Sequence, residues 1–250
     1  NGRLIDAEKL ARSITRGSPS NEDSWKALWT ILQKNGKTIE SLTAIQKASE
    51  LSPSDAKVLN SLGYTLLDLG KLVKAEETFR KAIALKPDYD KAYFNLGNTL
   101  QKSGKLEKPE RSYRQAIKFN PSFYLSHYRL AEILYKQDRL NEAEACFRHV
   151  IKLKPGFARA YNDLGVMLGK LGRLKEAEAS YNEAIRLKPK FTQAHNNLGV
   201  TLKELGRLKE AEASHRQAIE LNPSYAEAYN NLGNLYREKN LNKKALEYYI

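Results

Sequence analysis

Residues 158–191 read ARAYNDLGVMLGKLGRLKEAEASYNEAIRLKPKF, and residues 192–225 read TQAHNNLGVTLKELGRLKEAEASHRQAIELNPSY. The two segments agree in the places of all their leucines, of the proline and of most glycines and alanines, so the sequence repeats with a period of 34 residues. The same spacing joins seven prolines along the chain: Pro19, Pro53, Pro87, Pro121, Pro155, Pro189 and Pro223. A fixed period of this length predicts a stack of similar structural units.

Each repeat contains two segments with the apolar spacing of an α-helix. In 158–191 the first series is Tyr161, Leu164 and Leu168, and the second is Leu174, Ala177, Tyr181 and Ile185. Steps of three and four residues place each series on one helix face. Gly172 lies between them, where a helix ends on a left-handed residue, and Pro189 ends the second helix. The pattern therefore predicts an all-α chain of antiparallel helix pairs.

The period also gives the boundaries of the repeats. We predict one array over 1–250, of about 15 helices, in which 1–21 ends a preceding repeat and 226–250 is a truncated seventh. The complete repeats are 22–55, 56–89, 90–123, 124–157, 158–191 and 192–225.

The repeat resembles the tetratricopeptide repeat, whose pattern is Trp-x2-Leu-Gly-x2-Tyr, then Ala-x3-Phe, then Pro. Leu164, Gly165, Ala177, Tyr181 and Pro189 match that pattern. The runs NNLG and GRLKEAEAS are similar to those of bacterial arrays and of the superhelical arm of O-GlcNAc transferases. The resemblance implies a right-handed superhelical solenoid that serves as a non-catalytic protein-interaction scaffold. It further implies a concave groove lined by positions 2, 5, 6, 9, 12 and 13 of each repeat.

Polar and aromatic residues at those positions are the candidate peptide-binding residues. They are Asn60, Tyr64, Lys91, Phe94, Asn95, Asn98, Lys102, Tyr128, Arg129, Tyr135, Arg159, Asn162, Asn196, Asn197, Asn230 and Asn231. Asparagine amides can bond to the backbone of an extended peptide, or they can bridge neighbouring first helices. The aromatic residues beside cations can anchor a partner of acidic character, or they can complete the packing between repeats.

Histidine and cysteine do not form a catalytic or metal-binding pattern in this sequence. His215 stands where other repeats have Phe79 or Tyr181, which predicts a packing role. Cys146 and His149 form a lone fragment of a metal motif, with no second pair. We therefore predict no enzyme activity, no metal and no cofactor.

Composition limits the other classes of function. Lys and Arg number 42 and Asp and Glu 29, a net charge of +13, with 41% hydrophobic residues. This is globular composition without an apolar run of membrane-spanning length. RNA binding is a disfavoured alternative because the basic residues are dispersed. Another alternative is the substrate-recruiting arm of a glycosyltransferase or sulfotransferase. The lack of a possible disulfide is compatible with the cytoplasm.

The two ends of the array carry apolar residues that could stack between molecules. They are Leu4, Leu10 and Ile14 at one end and Leu246, Tyr249 and Ile250 at the other. We therefore predict that end-to-end self-association is possible through these helices.

Overall fold

A computed structural model describes residues 2–104 and 107–248, and within them it contains fifteen α-helices and no strand. The prediction of an all-α chain is confirmed. The helices are α1 Gly2–Gly17, α2 Glu22–Lys34, α3 Thr38–Leu51, α4 Ala56–Asp68, α5 Leu72–Leu85, α6 Asp90–Lys102, α7 Glu107–Phe119, α8 Tyr124–Lys136, α9 Leu140–Leu153, α10 Ala158–Lys170, α11 Leu174–Leu187, α12 Thr192–Glu204, α13 Leu208–Leu221, α14 Ala226–Glu238 and α15 Asn242–Leu246.

The helices end where the repeat places residues that accept a left-handed backbone. Gly172 follows α10 with a φ of 72°, and Asp138 takes the matching place after α8 with a φ of 62°. A left-handed residue lets the chain turn back and satisfies the last carbonyls of the helix. At the other end of a helix, the Asp55 carboxylate accepts a hydrogen bond from the Lys57 backbone nitrogen at 2.7 Å and so caps α4.

In four of the helix pairs a glycine on the first helix faces a ring on the second, at Gly63, Gly97, Gly165 and Gly199. A Cβ placed on Gly165 would lie 2.7 Å from the Tyr181 ring, which is 3% exposed. His215 packs in the same way beneath Gly199 and is 1% exposed. The predicted packing role of His215 is therefore confirmed.

The chain divides into two compact units, Asn1–Ser126 and His127–Ile250. Inside a unit, a first helix packs against the second helix of its own repeat and against the second helix of the repeat before it. The helices α2, α4, α6, α10, α12 and α14 do so, as α4 does with α5 and α3. Successive first helices also touch each other, α4 with α6 in the first unit and α10 with α12 and α12 with α14 in the second. We call the surface formed by these adjacent first helices the first-helix face.

Several large apolar residues near the ends of the described chain are exposed to solvent. Leu10 is 63% exposed, Ile14 is 47% exposed and Leu246 is 73% exposed. Tyr249 and Ile250, which the sequence placed beside Leu246, lie outside the described residues. Among the helices that are described, none combines the length and the apolar character that crossing a membrane requires.

Candidate functional site

Asparagine side chains join neighbouring first helices through a recurring hydrogen bond. In each case the sixth residue of a repeat donates its amide to the fifth residue of the repeat before, and we call this link a rung. Asn95 donates to Asn60 at 3.0 Å, Asn197 to Asn162 at 3.1 Å and Asn231 to Asn196 at 3.1 Å. These amides therefore bridge first helices. Each has a second hydrogen and a carbonyl oxygen besides the bond that forms the rung.

Tyr128 and Asp163 link the same two repeat positions in the opposite direction, because here the fifth residue donates a hydrogen bond to the sixth residue of the next repeat. The Tyr128 hydroxyl donates to Oδ2 of Asp163, and the Tyr128 ring packs edge-on against Phe147 and Phe157. Tyr128 is only 2% exposed. Of the two roles that the sequence left open for Tyr128, the structure favours packing, because Phe147 and Phe157 of its own repeat cover the ring and Asp163 of the next repeat accepts its hydroxyl. Burial, and then the nearby Asp163 carboxylate, raise the pKa of Tyr128.

Two arginines lie against the Tyr128 ring, at 5.9 Å for Arg129 and 5.8 Å for Arg159. The Arg129 guanidinium is held by Glu132 at 2.7 Å. Arg159 lies 3.9 Å from both Glu132 and Asp163, and its side chain is 61% exposed. Burial raises the pKa of Asp163, and hydrogen bonds from Tyr128 and Asn162 oppose that rise. Arg159 is therefore a cation of this cluster that a ligand can reach.

A polar cavity of about 210 Å³ opens on the first-helix face beside Arg159. It is lined by Arg159, Asn162, Asp163, Phe191, Gln193, Asn197 and Tyr225. The Tyr225 hydroxyl donates to Glu227 at 2.9 Å, and burial raises the pKa of Tyr225 to about 12. Glu227 also accepts a hydrogen bond from the Asn196 amide at 3.1 Å. It therefore connects Tyr225 in the cavity wall to the rung between Asn231 and Asn196.

The first unit carries its own part of the predicted groove on α4 and α6. Phe94 is half-buried, with its ring 4.9 Å from that of Phe123, and Lys91 is exposed. Tyr64 is 42% exposed and donates to the Asp68 carboxylate, which Lys102 attracts. Burial raises the pKa of both Tyr64 and Asp68. The Asp68 carboxylate therefore links Tyr64 to Lys102, and Asp68 was not among the residues predicted from the sequence.

The remaining candidates have simpler surroundings. The Asn98 amide oxygen lies 2.9 Å from the Tyr113 hydroxyl, the ring of Tyr135 lies 5.4 Å from the Lys170 ammonium, and Asn230 is exposed. Sequence reasoning missed the aromatic residues that precede the first helices and reach the face, such as Phe191 and Tyr225. The signal was present, because the last residue of five repeats is aromatic: Tyr89, Phe123, Phe157, Phe191 and Tyr225.

The histidine and cysteine residues have structural surroundings. The rings of His127 and His149 lie 4.4 Å apart, and the Cys146 thiol is half-buried. Across residues 2–104 and 107–248, no group of three or more His, Cys, Asp or Glu side chains is placed to hold a metal ion.

Family models match this chain in several registers. Models described as the TPR repeat match 63–104, 167–206 and 201–240, and tetratricopeptide-repeat models match 90–123 and 124–157. These matches cover most of the repeats that the period defines. The chain belongs to the tetratricopeptide-repeat family. The fold of this tetratricopeptide-repeat protein is consistent with a scaffold for protein–protein interaction.

Solved structures of several other proteins share the fold. YrrB, described as a TPR protein with an unusual peptide-binding site, has a TM-score of 0.65 and 22% identity over 78% of this chain and 98% of its own. PilF from Pseudomonas aeruginosa has a TM-score of 0.68 and 18% identity over 77% of this chain and 88% of its own. A chain of the APC/C hetero-tetramer Cut9–Hcn1 has a TM-score of 0.71 and 17% identity over 98% of this chain and 48% of its own. No curated protein sequence matches this chain.

Proposed function

We propose that this tetratricopeptide-repeat protein binds an extended segment of a partner protein across the first-helix face of its second unit. The observation that carries the proposal is the polar cavity beside the rungs. Its wall contains Asn197, whose amide uses one hydrogen on Asn162 and has a second donor and an acceptor to offer. A peptide backbone presents the complementary carbonyl and N–H groups at regular intervals.

The rungs prepare these amides for binding. Each rung fixes an asparagine rotamer by bonding it to the neighbouring first helix, so little side-chain entropy remains to be lost when a peptide arrives. Asn162 and Asn196 are buried and hold the rungs, whereas Asn197 and Asn231 are partly exposed and can reach a ligand. The division of roles between fifth and sixth positions supports backbone recognition on this face.

Arg159 gives the site its charge preference. Its exposed guanidinium has only loose contacts to Glu132 and Asp163, both at 3.9 Å, so it can turn towards a carboxylate of the partner. Gln193 is exposed on the same cavity and can donate or accept beside it. We therefore propose an extended partner segment with acidic character.

The test uses a random peptide library of about 12 residues selected on the wild-type protein. Selected peptides are measured against the variant Arg159→Ala/Gln193→Ala/Asn197→Ala and against the control Lys175→Ala/Asn182→Ala/Lys209→Ala, whose residues are exposed on second helices. We expect the first variant to weaken binding about tenfold or more and the control to leave it unchanged. Equal binding to both variants would overturn the proposal.

A further inference from the structure

A second opening lies in the first unit, away from the rungs. It is a groove of about 800 Å³ between the second helices α5 and α7, with the first helix α6 beneath them, and we call it the second-helix groove. It is lined by Arg80, Ile83, Ala84, Tyr93, Leu96, Leu100, Arg111, Ser112 and Gln115. The buried Leu96 and Leu100 form an apolar floor, and Arg80 and Arg111 are exposed at the rim.

The second unit has an equivalent groove, and comparing the two shows how the groove of the first unit differs in volume and charge. It lies between α9 and α11 over α10, and its lining residues occupy the same repeat positions two repeats later. Its volume is about 370 Å³, less than half as large. Ala179 replaces Arg111 there, and Glu183, which pairs with Arg186 at 2.6 Å, replaces Gln115. The groove of the first unit is therefore wider and more positively charged.

We propose that the second-helix groove of the first unit binds an acidic amphipathic helix of a partner protein. A groove with an aliphatic floor between two helices accepts the apolar stripe of a third helix. Guanidinium groups on both walls bind carboxylates that flank such a stripe. Arg80 is at present held by Glu76 at 2.8 Å, an exposed pair on the same helix that a partner carboxylate can replace.

The cations at the rim and the aliphatic floor together favour a protein helix over a nucleic acid as the ligand of this groove. A nucleic acid would use the rim cations, but bases stack on aromatic faces, and the one aromatic ring of the lining, that of Tyr93, is already stacked on Phe119 at 5.7 Å. The partly exposed Ile83 and the exposed Ala84 instead suit the apolar stripe of a helix. The groove shares no residue with the polar cavity of the second unit. This proposal is therefore independent of the peptide-binding function proposed above.

The probe is a labelled helix-forming peptide of about 18 residues, with leucines at i, i+4, i+7 and i+11 and glutamates on either side of that stripe. Two control peptides replace the glutamates by lysine or the leucines by serine. The variants Arg80→Gln/Arg111→Gln and Ala84→Trp change the rim and fill the groove. Their controls in the second unit are Arg148→Gln/Lys152→Gln, which removes two cations from the lining of the equivalent groove, and Lys152→Trp, which changes the position equivalent to Ala84.

Fluorescence anisotropy gives the outcome, with far-UV circular dichroism to show that every variant is folded. We expect the glutamate peptide to bind the wild type, both first-unit variants to weaken binding about tenfold or more, and both controls to change it less than about twofold. Undiminished binding to the first-unit variants, or no binding of the glutamate peptide to the wild type, would overturn the proposal. Single-stranded RNA that binds in place of the peptide, with the same dependence on Arg80 and Arg111, would also overturn it.

Discussion

At the scale of single residues, two glycines of α10 allow the contribution of core packing to stability to be measured apart from that of helix propensity. Gly165 faces the Tyr181 ring, whereas a Cβ placed on Gly169 would meet no neighbouring group within 4 Å. We expect Gly165→Ala to lower the free energy of unfolding by about 1–3 kcal/mol, because the ring must move in a filled core. Gly169→Ala should raise it by up to about 1 kcal/mol through helix propensity. Urea denaturation of both variants checks this, and equal effects would refute the packing argument.

His215 makes stability depend on pH in a way that the other ring positions do not. Burial, and then the Lys203 ammonium, lower the pKa of His215 to about 4, and the ring bonds to Asn196 at 3.1 Å. Because the unfolded chain takes up this proton near pH 6.5, the neutral ring stabilises the fold fully above that pH. Its contribution is lost as the pH falls from about 6.5 to about 4.

The variant His215→Phe isolates this effect, since Phe79 and Phe147 fill the same position in other repeats. Between pH 7 and pH 5 we expect the wild type to lose about 2 kcal/mol more unfolding free energy than the variant. Urea melts at the two pH values measure the difference. If both proteins lost the same amount, His215 would not be the titrating group.

At the scale of the helix, α1 makes polar contacts to repeat 22–55 through Glu8 and through the ion pair of Arg12 with Glu40. Glu8 of α1 accepts from Arg12 at 2.8 Å, from Asn35 at 2.7 Å and from Lys37 at 2.8 Å. Hydrogen bonds from Lys37, then Arg12 and Asn35, lower the pKa of Glu8 to about 2. The stabilising contribution is therefore present above pH 4.5 and is lost as the pH falls towards 2.

We expect Glu8→Gln to speed hydrogen exchange in α1 several-fold and to leave α9 unchanged, because α1 then loses its charged contacts to the loop after α2. The control Glu50→Gln removes an exposed pair with Lys47 within α3. Hydrogen-exchange mass spectrometry at neutral pH compares the two. Unaltered exchange in α1 would mean that the Arg12–Glu40 pair and the apolar contacts are enough to hold it.

The sequence predicts the helices well because the period marks both their starts and their ends. First helices begin at Glu22, Ala56, Ala158 and Thr192, where the counted repeats begin. The side chains on the first-helix face are harder to predict. An amide there can bond to a ligand or to a neighbour 35 residues away, and Tyr128 is buried only because Phe147, Phe157 and Asp163 meet around it. Those contacts depend on which side chains meet within a repeat and across to the next one, and periodicity does not specify that.

At the scale of the whole molecule, two compact units arise from one uninterrupted period. The 34-residue spacing continues past Ser126, where the internal contacts divide, so the division has no mark in the repeat pattern. Each unit carries its own first-helix face and its own second-helix groove. The proposed functions use the first-helix face of the second unit and the second-helix groove of the first.

The exposed apolar residues of α1 lead to a prediction about self-association. Leu10 and Ile14 are exposed, and burying them between molecules would remove aliphatic surface from water. We expect sedimentation velocity at high protein concentration to show association of the wild type that Leu10→Glu/Ile14→Glu abolishes. The control Val73→Glu changes a residue that is 72% exposed on α5 and should have no effect. A wild type that stays monomeric would contradict the prediction.

Photo-crosslinking shows most directly whether a partner segment lies on the first-helix face of the second unit. A photoreactive phenylalanine analogue is placed at Gln193 on α12 or at Lys209 on α13, both exposed in the same repeat. Each protein is irradiated with a peptide selected on the wild type, and mass spectrometry locates the adduct. We predict a crosslink from position 193 and none from position 209. A crosslink from 209 alone would contradict the proposed binding face.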